Sequence, residues 1–206
     1  MAECGCSCGT KEPAVDPAYR RVLWIVLAIN AAMFGIEGVS GLIAGSVALQ
    51  GDSLDFLGDA ANYGIALMVL GRAVAWRAGA ALLKGLTMAG FGAAVLASTA
   101  WRALHQGVPD AALMAPVGML ALAANLYAAY LLFRWRGGDS NMRSVWLCSR
   151  NDALVNIAVL AAAGLVALTG AGWPDWLVAL FIAGIALSGG ISIIRQARGE
   201  LRAPTG

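Results

Sequence analysis

An all-α membrane protein with six transmembrane helices is the fold class this sequence predicts, and three observations carry the prediction. Hydrophobic residues make up 60% of the 206 and charged residues 13%, with a mean hydropathy of +0.73; a soluble domain carries about 25% charged residues. Apolar runs of about 20 residues recur along the chain, the length that crosses a bilayer as a helix. They are continuously apolar rather than alternating, which argues against a β-barrel. The 26 glycines suit close approach between helices. The net charge of +2 is spread thinly between apolar segments, so no nucleic-acid partner is expected.

Six helices are expected at about 22–44, 46–72, 77–104, 112–135, 144–170 and 173–195. Their breaks have local causes. Gly45-Ser46 ends the first, "GVPD" (107–110) parts the third from the fourth, "RGGDSN" (136–141) the fourth from the fifth, and "GAGWP" (170–174) the fifth from the sixth. The expected organisation is a Cys-containing tail at 1–21, a transmembrane transport domain at 22–195 and a short tail at 196–206. The first 21 residues hold no apolar core of their own, so no cleavable signal peptide is expected. Six spans put both termini on one side. Lys11, Arg20, Arg21, Arg72, Arg77, Arg134, Arg136, Arg143, Arg195, Arg198 and Arg202 all fall there, and the opposite loops hold Arg102 alone. The positive-inside bias makes both termini cytoplasmic. Lys84 and Arg150 remain nominally within spans.

The second span breaks the hydrocarbon pattern with "GDSLDFLGDAAN" (51–62). At about 100° per residue, Asp55, Asp59 and Asn62 lie about 300°, 340° and 280° around the helix from Asp52, on one stripe. Each charged group in a bilayer costs a few kcal/mol or more, so three on one stripe imply a hydrated or metal-filled interior. The fifth span carries a matching set, with Cys148, Asp152 and Asn156 at i, i+4 and i+8. Two carboxylates from one helix with a thiol and a carboxylate from another make four ligands for a tetrahedral divalent ion, Zn²⁺ by default and Cd²⁺ a close competitor. Without metal, four such acids cannot all ionise side by side, so protons share the site and compete with metal for it. Counted from the outer helix ends, Asp55 is about nine residues in and Asp152 about eighteen, an offset of roughly 13 Å.

With those residues in view, the chain resembles the cation diffusion facilitator family of zinc-type transporters. The likeness rests on Asn30 and "EGVSG" (37–41), "GSVALQGDSLDFLGDAAN", "CSRNDALVN" and "TGAGWPDWLVALFIAGIAL". The resemblance puts Asp55, Asp59, Cys148 and Asp152 at the four transport positions. It makes Asp52 an acid just outside the metal shell, and Glu37 a helix-packing or proton-path residue. It implies a homodimer and export of a divalent cation in exchange for protons. Cys148 stands where the family usually has histidine, which leans selectivity toward softer ions and alters proton stoichiometry. About ten residues follow the sixth helix, so the family's cytoplasmic metal-sensing and dimerising domain is expected to be absent. Dimerisation would then fall to small-residue faces such as "GLIAG" (41–45) and "GIALS" (184–188).

Cys4, Cys6 and Cys8 in "CGCSC" are expected to stay reduced in the cytosol and to offer a metal-collecting tail. His105 reads as a solvated loop residue. Asn30 and Asn125 read as interhelical hydrogen-bond partners, and the tryptophans near span ends as interfacial anchors. No phosphate-cradling loop, nucleophile–base pair or cofactor motif is present, so neither an enzyme nor a resident cofactor is expected. The expected partners are Zn²⁺ or Cd²⁺, protons, membrane lipid and a second copy of the chain. Two other classes remain: an intramembrane metalloenzyme, with Asp52 as its formal base, and a metal-binding membrane scaffold that transports nothing.

Overall fold

The computed structural model describes residues 17–68, 74–105, 107–134 and 140–202. Six helices follow in order: α1 (Pro17–Ala44), α2 (Val47–Met68), α3 (Val74–Leu104), α4 (Ala111–Phe133), α5 (Ser140–Thr169) and α6 (Trp173–Arg202). Among the described residues, α1, α3, α4, α5 and α6 are long and apolar enough to cross a membrane. The hydropathy of α2 is broken by its aspartates. Helices outrun their expected limits, most of all α1, which begins at Pro17 rather than near 22, and α6, which continues to Arg202 rather than stopping near 195; α3 and α5 also begin early, at Val74 and Ser140. The extra turns carry Arg20 and Arg21 at one end and "RQARGELR" at the other. Charged residues propagate a helix as readily as apolar ones, so hydropathy locates the bilayer and not the helix end.

The α1–α2 turn shows how local chemistry sets the chain direction. Gly45 adopts φ 67°, the left-handed conformation that ends a helix, and Ser46 N–H donates to Gly41 O at 2.9 Å while Gly45 N–H donates to Leu42 O at 3.3 Å. This pair of bonds is a Schellman motif. The reversal brings α2 back along α1, where a Cβ on Gly41 would sit 2.9 Å from Gln50 N. The "GLIAG" face expected to serve a dimer is thus spent, at Gly41, on the contact between α1 and α2. Gly184 has nothing within 4 Å of its Cβ position, so the "GIALS" face points out of the bundle.

Helix α2 is the centre of the molecule and touches α1, α3, α5 and α6. Helices α1 and α4 pack together, as do α4 and α5, while α3 and α6 form a second, tightly paired unit. Glycines permit that pairing: a Cβ on Gly85 would meet Gly190 O at 3.0 Å, and one on Gly190 would meet Ala89 N at 3.0 Å. The loops at the α1–α2, α3–α4 and α5–α6 connections gather at one end. Asp110 N–H donates to Ala44 O at 2.8 Å there, and Asp110 also caps α4 by accepting from Ala112 N at 2.9 Å.

Apolar packing occurs in tiers. Val47, Leu49, Leu54, Met114, Val159 and Ile182 fill the core near the connection end. Tyr19, Leu23, Val26, Tyr63, Leu67 and Leu132 fill it near the opposite end. Met33, Phe56 and Ala121 lie between. The outward surface is itself apolar, with Leu42, Leu104, Tyr130 and Leu168 largely exposed, as lipid contact requires. Buried polar side chains from all six helices are held inside this frame.

Candidate metal site between the second and fifth helices

Asp52 and Asp59 are buried on α2, and Asp55 between them is half-buried. The expected stripe is real: Asp52 and Asp59 both meet α5. The Asp59 carboxyl lies within hydrogen-bonding reach of Asp152, and Asn156 Nδ2 donates to Asp52 Oδ2 at 2.5 Å. The helices are antiparallel here, so stepping from Asp52 to Asp59 matches stepping back from Asn156 to Asp152. This register takes up about 6 Å of the roughly 13 Å offset counted for Asp55. Asp152 pairs with Asp59, one helical turn (about 6 Å) deeper than Asp55.

Asp59 is the hub of the site. Tyr63 Oη, one turn along α2, donates to its Oδ2 at 2.9 Å. The ammonium of Lys84 on α3 acts on it electrostatically and donates to Asn62 Oδ1 on the same stripe. Sequence reasoning missed both roles. Tyr63 reads as an ordinary core aromatic, although i, i+4 spacing from Asp59 was a usable signal. Lys84 carries no local signal of its partner, which is 22 residues away on another helix.

Asp152 is half-buried, and the Cys148 side chain lies outside the described residues, although its backbone belongs to α5. Among the described residues, no group of three or more His, Cys, Asp or Glu side chains converges closely enough to hold a metal ion. Asp59 and Asp152 are brought together, while Asp55 stands beside Asp52 and Asp59 as an electrostatic neighbour. Cys4, Cys6 and Cys8 lie outside the described residues.

A second polar group adjoins this one. Asn125 Nδ2 on α4 donates to Asn156 Oδ1 at 2.9 Å, so one chain of hydrogen bonds runs from α4 through α5 to Asp52 on α2. Glu37 on α1 is wholly buried, and neither of its carboxyl oxygens has a hydrogen-bond donor; Asp52 Oδ1 also lacks one. The two carboxyls lie within hydrogen-bonding reach of each other. A bare carboxylate pair in an apolar interior is costly, and a positive charge or proton between them removes that cost. Asn30 departs from expectation: its Nδ2 donates to Val26 O of its own helix at 2.8 Å rather than to a neighbouring one. One turn of helix supplies an acceptor at the right distance, so no partner helix is needed.

The connection end of α2 is held by a residue that sequence reasoning did not single out. Asp175, fully buried in the first turn of α6, accepts from Ser46 Oγ at 2.5 Å, Val47 N at 2.9 Å and Ala48 N at 3.1 Å. Ser46 Oγ in turn accepts from Leu49 N at 3.0 Å. The open N–H groups of the first turn of α2 are thereby satisfied, most of them by a side chain about 128 residues away. Beside this junction, a pocket of about 510 Å³ is lined by Gln50, Ser98, Trp101, Arg102 and His105 among others. His105 is exposed as expected, stacked on Trp101 with centroids 3.9 Å apart, its Nδ1 donating to Trp101 O at 2.8 Å.

The chain is 22% identical over 197 residues to the "Cadmium, cobalt and zinc/H(+)-K(+) antiporter" of Bacillus subtilis (strain 168), covering 88% of this chain and 63% of the relative. It therefore spans less than two thirds of the length of that protein. The family model for the cation efflux transmembrane domain matches residues 23–201, which takes in all six helices. With acids gathered inside a bundle whose outer surface is apolar, and with that match across the whole bundle, the chain is a multi-pass integral membrane protein and belongs to the cation efflux family, also called the cation diffusion facilitators.

Proposed function

We propose that this protein is a secondary-active exporter of divalent cations, Zn²⁺ or Cd²⁺, which it moves out of the cytoplasm in exchange for protons. The observation that carries the reading is the meeting of Asp59 and Asp152 across α2 and α5 inside an apolar bundle. Two carboxyls side by side in such a place call for a cation or a proton between them. Asp55 and Cys148 complete the ligand set, giving oxygen and sulfur donors for a soft or borderline ion. Asp55 is half-buried beside Asp59, so a rotamer change or a small roll of α2 brings it in. The Bacillus subtilis relative, named for cadmium, cobalt and zinc against protons and potassium, supports this class of cargo.

In this reading α2 crosses the membrane with the other five helices, and both termini face the cytoplasm. Metal reaches the site from the terminal side, and rocking of the helices exposes it to the far side, where protons displace it. Glu37, Asp52 and Asn156 form an accessory proton path beside the metal ligands. Cys4, Cys6 and Cys8 collect metal in the cytoplasm. The outward "GIALS" face of α6 serves a homodimer. No catalytic reaction is assigned.

The experiment is ion flux in proteoliposomes under an imposed pH gradient, with Zn²⁺ and Cd²⁺ as probes. Loss of flux in both D59N and D152N, with each protein still monodisperse, is the expected result. Flux at the wild-type rate in both variants would sink the proposal and leave the acidic stripe as structural.

A further inference from the structure

Lys84 is one of the two basic residues that the hydropathy pattern leaves inside a span, and the fold gives it a place. It is half-buried on α3, within an apolar stretch long enough to cross a membrane. It lies near the terminal-side end of that stretch, which begins at Leu82. Its ammonium could turn to the interface, yet it turns to the aspartate stripe. Its Nζ donates to Asn62 Oδ1 and its charge acts on Asp59. Asn62 closes the aspartate stripe at the end of α2 remote from the connection loops. Lys84 therefore approaches the carboxyls from the terminal end of the bundle.

The chemistry of those partners is informative. A neutral amide holds an ammonium less firmly than a carboxylate does, and lysine carries its charge on a flexible four-carbon stem. An ammonium on such a stem can swing away from Asn62 and Asp59 without movement of the backbone. A divalent ion bound between Asp59 and Asp152 would repel it strongly at this range. Positive charge at Asp59 is thus supplied in two ways that exclude one another.

We propose that Lys84 is the resident counter-cation of this site: its ammonium stays with Asn62 and Asp59 while no metal is bound, and withdraws when a divalent ion arrives. The proposal rests on the reading of Asp59 and Asp152 as metal ligands. It makes Lys84 a positioning residue that sets affinity and release. By compensating the empty carboxylates, it eases the return of the unloaded carrier. By competing with the cargo, it keeps binding weak enough for the ion to leave.

The test is Cd²⁺ binding to the purified full-length chain in nanodiscs, in a C4S/C6S/C8S background that removes the tail thiols. K84M keeps the length of the side chain and removes its charge, and K84R keeps the charge. Cd²⁺ binding roughly tenfold tighter or more in K84M, with K84R within about threefold of the parent, is expected. In proteoliposomes K84M should lower KM and Vmax together, a split that a merely structural lysine would not produce. K84M that binds Cd²⁺ no more tightly than the parent overturns the proposal. D59N separates the two readings. Loss of Cd²⁺ binding in D59N with K84M unchanged defeats Lys84 alone, whereas D59N binding like the parent defeats both.

The C4S/C6S/C8S parent offers a readout that leaves Lys84 itself unchanged. Lys11 is the other lysine of the sequence and serves as internal reference for acetic anhydride labelling read by mass spectrometry. Saturation with Cd²⁺ should raise Lys84 labelling several-fold relative to Lys11, and an unchanged ratio would overturn the proposal.

Discussion

Replacing Asp175 tests whether the start of α6 holds the start of α2. Its two carboxylate oxygens take three hydrogen bonds, at 2.5, 2.9 and 3.1 Å, from the Ser46 hydroxyl and the Val47 and Ala48 amides. The first turn of α2 presents the positive end of the helix to this carboxylate, and Arg102 adds its own positive field. Charge-assisted bonds of this kind contribute about 1.5–3 kcal/mol each, and a buried group stripped of its partner costs about 1–3 kcal/mol. In D175N the amide oxygen can keep Ser46 and Ala48 while the NH₂ group faces the Val47 N–H, donor against donor. One charge-assisted bond is lost, about 2 kcal/mol. In D175A all three go and two buried amides lose their acceptor. Partial relaxation leaves a loss of about 4 kcal/mol. Reversible unfolding in mixed micelles of rising SDS fraction, followed by tryptophan fluorescence, measures both. The expected order is wild type, then D175N, then D175A. D175A within about 1 kcal/mol of wild type would show that the junction contributes little and would refute the reasoning.

Three further outcomes follow from the same structure. G45A should lose about 1–2 kcal/mol in the same unfolding assay, because φ 67° disfavours a side chain and the new Cβ would lie 2.6 Å from Arg102 Nη1. N156L should cost about 2–3 kcal/mol, since it leaves Asp52 Oδ2 and Asn125 Nδ2 buried without partners, and N156Q should recover part of that; equal stability of N156L and wild type would argue against the three-helix chain. C148H should shift the ratio of Cd²⁺ to Zn²⁺ transport toward zinc by roughly tenfold, because imidazole is a harder ligand than thiolate; an unchanged ratio in competitive flux would remove Cys148 from the ligand set.

The sequence by itself determined the helices and much of their chemistry. The turn signals Gly45, "GVPD" and "GAGWP" locate the end of α1 and the starts of α4 and α6 to within a few residues, because lipid leaves a chain little choice but a helix between turn signals. The stripe of Asp52, Asp55, Asp59 and Asn62 is likewise a consequence of helical periodicity alone. The partners of those side chains are another matter. That Asp152 meets Asp59, that Lys84 reaches Asn62, and that Asp175 caps a helix 128 residues upstream in sequence are decided only in the folded bundle. The physical reason lies in the range of each effect. Hydropathy and backbone periodicity act over a single turn or a single span, so they can be counted along the chain. Helix register and axial offset come from side-chain packing between segments, such as the close contact of Gly85 with Gly190, and no local pattern records them. A carboxylate in a span announces that a partner must exist; the tertiary structure alone decides which one it is.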